Sequence, residues 1–295
     1  MIDIIPGEDQ VISSEDPPPE YIFIHSHRRS GTHLLIDTIS SWFDFVPGFC
    51  HFPTLDDTLP QGEASILPDT RLIKSHEPIY GFQLNAKHLW TSQQHLDENR
   101  RLYENSPHIY IVRNPFFVLR SLYVFDLMAT EEKFKIEEDL SFHDYLLAKS
   151  MHELNRDEMN RIRYWEQHVL NWASRSDVLI IDYEDLLQST ASTVEAISQH
   201  VRCLTRSSQR SINPTGIGRG LTDRFLKGPR ETVWESDITT LMTETIKHLA
   251  AAQPRMALHA DRWLAAAPSG IRGSGAAVMV SPAVHADSGM RAATC

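Results

Sequence analysis

The chain has 295 residues, 41% hydrophobic and 23% charged, the balance of a water-soluble globular protein long enough to bury a core without disulfide or metal staples. Its 28 basic and 39 acidic residues leave a formal charge of −11, which argues against a nucleic-acid-coating protein but allows a local basic pocket. The three cysteines, Cys50, Cys203 and Cys295, exclude a disulfide framework, and none forms a CxxC pair of the kind that holds zinc.

The N-terminus, MIDIIPGEDQ, is acidic and lacks the basic and apolar regions of a secretory signal. No run approaches 18 apolar residues, so no membrane span and no membrane partner is expected, and the expected location is cytoplasmic. Residues 1–19 are polar and end in Pro17-Pro18-Pro19, which reads as a flexible arm. Residues 268–295 are rich in Gly, Ala and Ser without a period, which reads as a disordered tail. Residues 20–267 then form one domain.

In chain order, the first short apolar run is Tyr21–His25, followed by a helical stripe of Leu34, Leu35, Ile39, Trp42 and Phe43. Arg71–Lys74 and His108–Val112 are the next runs, each short and mostly β-branched or aromatic, as strands buried on both faces are. Asn114-Pro115 supplies an N-cap and N1 pair for a helix that turns Val118, Leu119 and Leu122 inward. Tyr164, Trp165, His168, Val169 and Trp172 mark a further helix, Val178–Ile181 a fourth strand, and Thr193–Val201 another helix. Strands alternating with helices predict an α/β fold, a parallel sheet covered on both faces.

The first strand runs into His25-Ser26-His27-Arg28-Arg29-Ser30-Gly31-Thr32-His33 and then a helix. Helix N-terminal N–H groups, a glycine that admits close backbone approach, two hydroxyls and a fixed cation are the parts of a phosphate site. A Walker A loop is absent, because Thr32 rather than Lys follows Gly31 and no glycine stands five positions before it. Alone, this loop is equally consistent with a basic surface turn.

Four other segments change that balance. Tyr110-Ile111-Val112-Arg113-Asn114-Pro115 leads to Ser121, so a strand-end arginine and a serine two helical turns on can meet one phosphate. Arg71-Leu72-Ile73-Lys74-Ser75-His76-Glu77-Pro78 places a lysine and a histidine at a strand end. There an imidazole can take a proton from an attacking hydroxyl, and the position distinguishes His76 among 15 histidines. Val178–Leu186 ends in Asp182-Tyr183-Glu184-Asp185, and Phe225-Leu226-Lys227-Gly228 precedes Trp234 and Ser236-Asp237. With the first loop, these segments resemble the sulfotransferases that use 3′-phosphoadenosine 5′-phosphosulfate (PAPS), over about Tyr21 to Leu249.

The resemblance implies a three-layer sandwich with a central parallel sheet flanked by helices, of the P-loop NTPase-like sulfotransferase type. It implies that Arg28, Arg29, Ser30, Gly31, Thr32 and His33 form the 5′-phosphosulfate loop. Arg113, Ser121, Lys227 and Gly228 would hold the 3′-phosphate, with Tyr183 close to adenine. By the same resemblance His76 is the general base, Lys74 steadies the sulfuryl oxygens and Arg29 the leaving group, with no metal. The implied reaction moves a sulfuryl group from PAPS to a hydroxyl or amine of a small molecule, leaving adenosine 3′,5′-bisphosphate (PAP). Leu226 departs from a usual basic residue, with Arg219, Arg224 and Arg230 as substitutes, and Leu34 stands where many members carry an adenine-stacking Trp.

Two alternatives are a small-molecule or nucleoside kinase of related fold, which needs a loop lysine and Mg²⁺ carboxylates, and an inactive nucleotide-binding protein. Aromatic and acidic segments (Phe43–Leu67 and Tyr123–Tyr145, with Asp44, Asp56, Asp57 and Asp126) suit a cationic or polyhydroxylated acceptor. A monomer or homodimer is expected.

Overall fold

Side-chain alternation along five strands decides the layering. The computed structural model describes residues 19, 21–44, 50–51, 72–76, 101, 103–129, 136–137, 139–150, 158–211 and 232–268. The arm before residue 19, Lys227, Gly228 and the tail beyond Pro268 lie outside them. Strands β1 (Ile22–Ser26), β2 (Cys50–His51), β3 (Leu72–Ser75), β4 (His108–Val112) and β5 (Val178–Asp182) form one sheet in the order β2-β3-β1-β4-β5. Every neighbouring pair is parallel, with Ile24 opposite Lys74 on one side and Ile109 on the other.

The helices are α1 (Thr32–Trp42), α2 (Pro115–Leu127), α3 (Phe142–Leu147), α4 (Arg161–Ala173), α5 (Tyr183–Gln188), α6 (Thr190–Val201), α7 (Ser236–Ala252) and α8 (Ala257–Ala265). Ile22, Ile24, Ile109 and Ile111 point to one sheet face and pack under α1, α5 and α6. Phe23, Tyr110 and Val112, offset by one residue, point to the other face and pack under α2, α3, α4, α7 and α8. Two cores on opposite sheet faces make the three-layer α/β sandwich that the sequence predicts.

The four predicted strands are present to within one residue at each end. Edge strand β2 is additional, and two residues are too few to show a period. The helix predicted from Thr193 begins at Thr190. Asn114 caps α2 as expected, its Oδ1 accepting from the Phe116 N–H at 3.0 Å. Helices α7 and α8 lie beyond the last predicted element, and Ile238, Met242, Ile246 and Leu249 join the larger core. Among the described residues no helix is long and apolar enough to cross a membrane.

The larger core holds two neutral histidines. His108 Nε2 lies 2.8 Å from the Tyr103 carbonyl, which only accepts, so Nε2 carries the hydrogen and Nδ1 accepts from His25 Nε2 at 2.9 Å. Burial, then Arg175, push His108 from 6.5 down to about 4. Burial, then His108, push His25 well below its ordinary value. The unfolded chain therefore binds protons that the native chain refuses. The stabilising contribution is complete above the unfolded value of 6.5 and is lost as pH falls toward 4. His108 alone accounts for a loss of roughly 3 kcal/mol. We expect the urea midpoint to fall steeply across that window, and to fall less in His108→Gln; equal slopes would contradict a neutral pair.

Candidate active site

Because all strands run parallel, their C-terminal ends share one edge of the sheet. The connection after β1 crosses the α1 face toward β2 and β3, whereas the one after β4 crosses the α2 and α4 face toward β5. This change of face beside β1 is where open α/β sheets form their ligand crevice. Into it lead the loop after β1, Lys74 and His76 from β3, Arg113 from β4 and Tyr183 from β5.

The loop after β1 is tightly wound. The Ser30 N–H bonds the His27 carbonyl at 3.2 Å, and Arg29 and Gly31 both have positive φ, 70° and 100°. Left-handed residues in such a turn gather successive N–H groups toward one side, an arrangement that accepts anions. Gly31 also allows a close contact: a Cβ there would lie 2.3 Å from Tyr183 Cδ2 and 2.7 Å from Cε2.

Four cations crowd this loop. Arg29 Nε donates to Ser121 Oγ at 3.1 Å, which brings the first loop against α2. The Arg113 guanidinium lies 4.2 Å from the centre of the Tyr183 ring, and its Nη1 approaches the Arg29 carbonyl at 3.5 Å. Lys74 Nζ donates to His33 Nε2 at 2.9 Å, and Arg28 pairs with Asp126 at 3.3 Å. Burial, then Arg113 and Arg28, bring Arg29 down to about 10. Burial, then Arg29 and Arg28, bring Lys74 down to about 8. Like charges held this close are relieved by an incoming anion.

Burial, then Asp182, push Glu184 up to about 8, so it carries a proton at neutral pH beside Arg113. The buried Arg113 Nε has no hydrogen-bond partner among the described residues. Asp182 itself is committed elsewhere. Burial works to raise it, but His259 at 2.8 Å and Arg262 at 3.2 Å hold it low, and its Oδ1 caps α5 by accepting from the Glu184 N–H. The Asp182-Tyr183-Glu184 turn is thus a helix cap that also presents Tyr183 to the crevice.

His76 is held from two directions. Its Nδ1 lies 3.0 Å from the Ser26 carbonyl and 3.0 Å from Ser26 Oγ. The carbonyl only accepts, so Nδ1 carries the hydrogen and the basic lone pair is on Nε2. Ser26 Oγ in turn bonds Thr32 Oγ1 at 2.6 Å, linking the imidazole to the phosphate-type loop. On the backbone side, His168 Nε2 donates to the His76 carbonyl at 3.1 Å, and Tyr110 Oη donates to His168 Nδ1 at 3.0 Å. Sequence reasoning used His168 and Tyr110 only as inward-facing core residues. Their bond to each other spans 58 positions and leaves no local pattern.

Some expectations shift. Leu34, at the position of the missing Trp, packs against the α1-side core. Trp234 packs edge-on to Phe116 and Phe142, at 4.8 and 5.0 Å between ring centres. Asp44 is exposed and pairs with Arg206, whereas Asp126 is buried against Arg28 and is not part of an open acidic rim; Asp56 and Asp57 lie outside the described residues. The one group with metal-ligand potential among the described residues is His143 with Glu235 and Asp237, a surface cluster in which His143 Nε2 already bonds Asp237 at 3.1 Å.

The profile of the sulfotransferase domain family matches residues 19–211. The chain belongs to that family. Among curated protein sequences, none matches it. Solved structures of similar fold include a mouse sulfotransferase complexed with PAP, at 19% identity over 74% of this chain and 67% of that one, with a TM-score of 0.43. A sulfotransferase from Alicyclobacillus acidocaldarius aligns at 14% identity over 84% of this chain and 99% of its own, with a TM-score of 0.45. A retinol dehydratase in complex with androsterone and PAP aligns at 13% identity over 80% of this chain and 82% of that one, with a TM-score of 0.42.

Proposed function

We propose that this protein transfers a sulfuryl group from PAPS to a hydroxyl or amine of a small-molecule acceptor. The observation that carries the reading is the convergence of Arg28, Arg29, Lys74 and Arg113 on a tightly wound loop, beside an imidazole whose basic nitrogen is Nε2. A doubly phosphorylated nucleotide fits this site because Arg113 Nε is buried and without a hydrogen-bond partner among the described residues, and Arg29 and Lys74 are held low by burial and then by neighbouring cations.

Arg29 and the loop N–H groups hold the 5′ end of the donor, while Arg113 and Ser121 hold the 3′-phosphate, joined by Lys227 and Gly228 from outside the described residues. Tyr183 flanks the base. PAPS supplies an activated sulfuryl group on a phosphate leaving group. His76 Nε2 takes the acceptor proton as the acceptor oxygen or nitrogen bonds to sulfur, and the Ser26 carbonyl steadies the resulting imidazolium through Nδ1. The electron pair of the breaking S–O bond goes to the phosphate oxygen, where Arg29 is placed to stabilise it, while Lys74 balances the sulfuryl oxygens. We read residues 20–267 as one domain, since α7 and α8 share the larger core.

The test is calorimetric titration with PAP and with AMP, chelator present. PAP should bind without metal and more tightly than AMP. Arg113→Ala should weaken PAP by about 10- to 100-fold, the size of a lost charge-assisted hydrogen bond, and leave AMP nearly unchanged. Equal or absent binding of the two nucleotides would remove the 3′-phosphate site and the reading with it. PAP binding without turnover on any acceptor would favour the inactive alternative.

A further inference from the structure

A small pocket opens beside His76, and resting on the sulfuryl-transfer reading above, its lining identifies the acceptor. Among the described residues the pocket is walled by His27, Arg28, Asp126, Ser150, Arg161 and Tyr164, with Leu122 the one wholly apolar side chain. Its volume of about 20 Å³ is room for a hydroxyl-sized group, not a ring. A greasy acceptor pressed against this wall would strip water from polar groups and return no hydrogen bonds.

The informative residue is Asp126. It is 4% exposed and comes from the inward face of α2. Its Oδ2 accepts from Tyr145 Oη at 2.7 Å and its Oδ1 from Arg28 at 3.3 Å, a long contact. A carboxylate has about four acceptor sites. Two therefore stay open toward donors among the described residues, in a place where burial already pushes the group up. Asp126 can thus accept more hydrogen bonds than it receives from them.

Charge selects among donors. Arg28 is paired to Asp126, and Arg161 sits in the same wall, buried, with Nη1 donating to the Tyr145 and Ala148 carbonyls. Two arginines against one carboxylate repel an ammonium, which removes the cationic acceptor that the acidic sequence segments suggest. An uncharged hydroxyl donates to Asp126 and accepts from the arginines, with no net charge to bury. We infer that the acceptor is a neutral polyhydroxylated molecule of the sugar or cyclitol kind, that Asp126 is the residue that recognises a hydroxyl next to the one sulfated, and that Arg28 orients that carboxylate.

The experiment has two readouts on the full chain. First, neutral hexoses, an inositol, a simple phenol and a primary alkyl amine are each titrated into the PAP-loaded protein by saturation-transfer NMR. Second, each is assayed as acceptor with PAPS. We expect contact signals and turnover with a polyol, with kcat/KM at least tenfold above the phenol and the amine. Removing the hydroxyl adjacent to the sulfated position should cost about 10- to 100-fold in kcat/KM. Asp126→Asn should raise KM for the polyol by a similar factor while leaving PAP affinity within twofold, so that a folding defect is told apart from lost recognition. Better turnover of the phenol or the amine would overturn the inference, as would a polyol KM unchanged in a folded Asp126→Asn. In either case intact PAP binding would leave the sulfotransferase reading standing. Loss of PAP binding in the unmodified protein would instead remove that reading.

Discussion

Replacing His76 with alanine should lower kcat by about 10²- to 10⁴-fold, the range for removing a positioned general base, and leave the affinity for PAP near that of the unmodified protein. The geometry separates the two quantities. Nδ1 is committed to the Ser26 carbonyl, so Nε2 is the ring nitrogen with the basic lone pair, and His76 lines the polar pocket. The expected loss is of a proton acceptor, since Nδ1 is spent on Ser26 and the cations of the loop are Arg28, Arg29, Lys74 and Arg113. The loop also keeps its own tie, because Ser26 Oγ remains bonded to Thr32 Oγ1 at 2.6 Å. The strand end keeps its anchor, because His168 grips the backbone carbonyl of residue 76, which alanine retains. Added imidazole should restore part of the rate in proportion to its concentration. A near-unchanged rate would sink the base assignment. A collapse of PAP affinity would show instead that His76 is a strut for the loop.

That separation also explains what the sequence makes legible. The four strands other than β2 are short, mostly apolar runs, and each segment that resembles a family motif after them sits at the C-terminal end of such a run. The period of the chain marks those strand ends, and the resemblance to the family's motifs singles out Arg29, Lys74, His76, Arg113 and Tyr183 beside them. Parallel pairing then gathers them. What the chain cannot announce locally is the support around them. Arg29 meets Ser121 across 92 positions, Arg28 meets Asp126 across 98, and His168 meets the His76 carbonyl across 92. Such contacts obey no period and depend on which helix crosses which face. Asp126 shows the consequence. As a letter in an acidic, aromatic stretch it suits a cationic or a polyhydroxylated acceptor alike, and only the fold shows it buried, tied to Arg28 and sharing a pocket wall with Arg161. Leu34 shows the converse: the absence of a Trp is plain in the sequence, but the packing of that position into the α1-side core follows from the helix phase that buries Leu35 and Ile39.

The second large effect is expected from the smallest change, Gly31→Ala. Two independent penalties meet at that residue. Its φ of 100° lies in the left-handed region, where a Cβ costs about 1–2 kcal/mol. The added methyl would also sit 2.3 Å from Tyr183 Cδ2, far inside contact distance, and overpacking of that kind costs about 1–3 kcal/mol. Tyr183 has little freedom to withdraw, since the Arg113 guanidinium lies 4.2 Å from its ring centre and the preceding Asp182 is pinned by His259 and Arg262. The clash must therefore be relieved either by unwinding the loop, which scatters the N–H groups that face the anion, or by moving Tyr183 and Arg113 together. Each route damages the same site, so the sum of roughly 2–5 kcal/mol should appear as a loss of PAP affinity of about 10²-fold or more, with global stability less affected. The cycle with Tyr183→Ala divides the two penalties. In that background the methyl has room, so Gly31→Ala should cost only its backbone share, and the double variant should bind PAP better than the sum of the single effects predicts. Strict additivity would mean that the ring contact carries no energy, and wild-type affinity in Gly31→Ala would mean that the wound loop is not where the nucleotide is held.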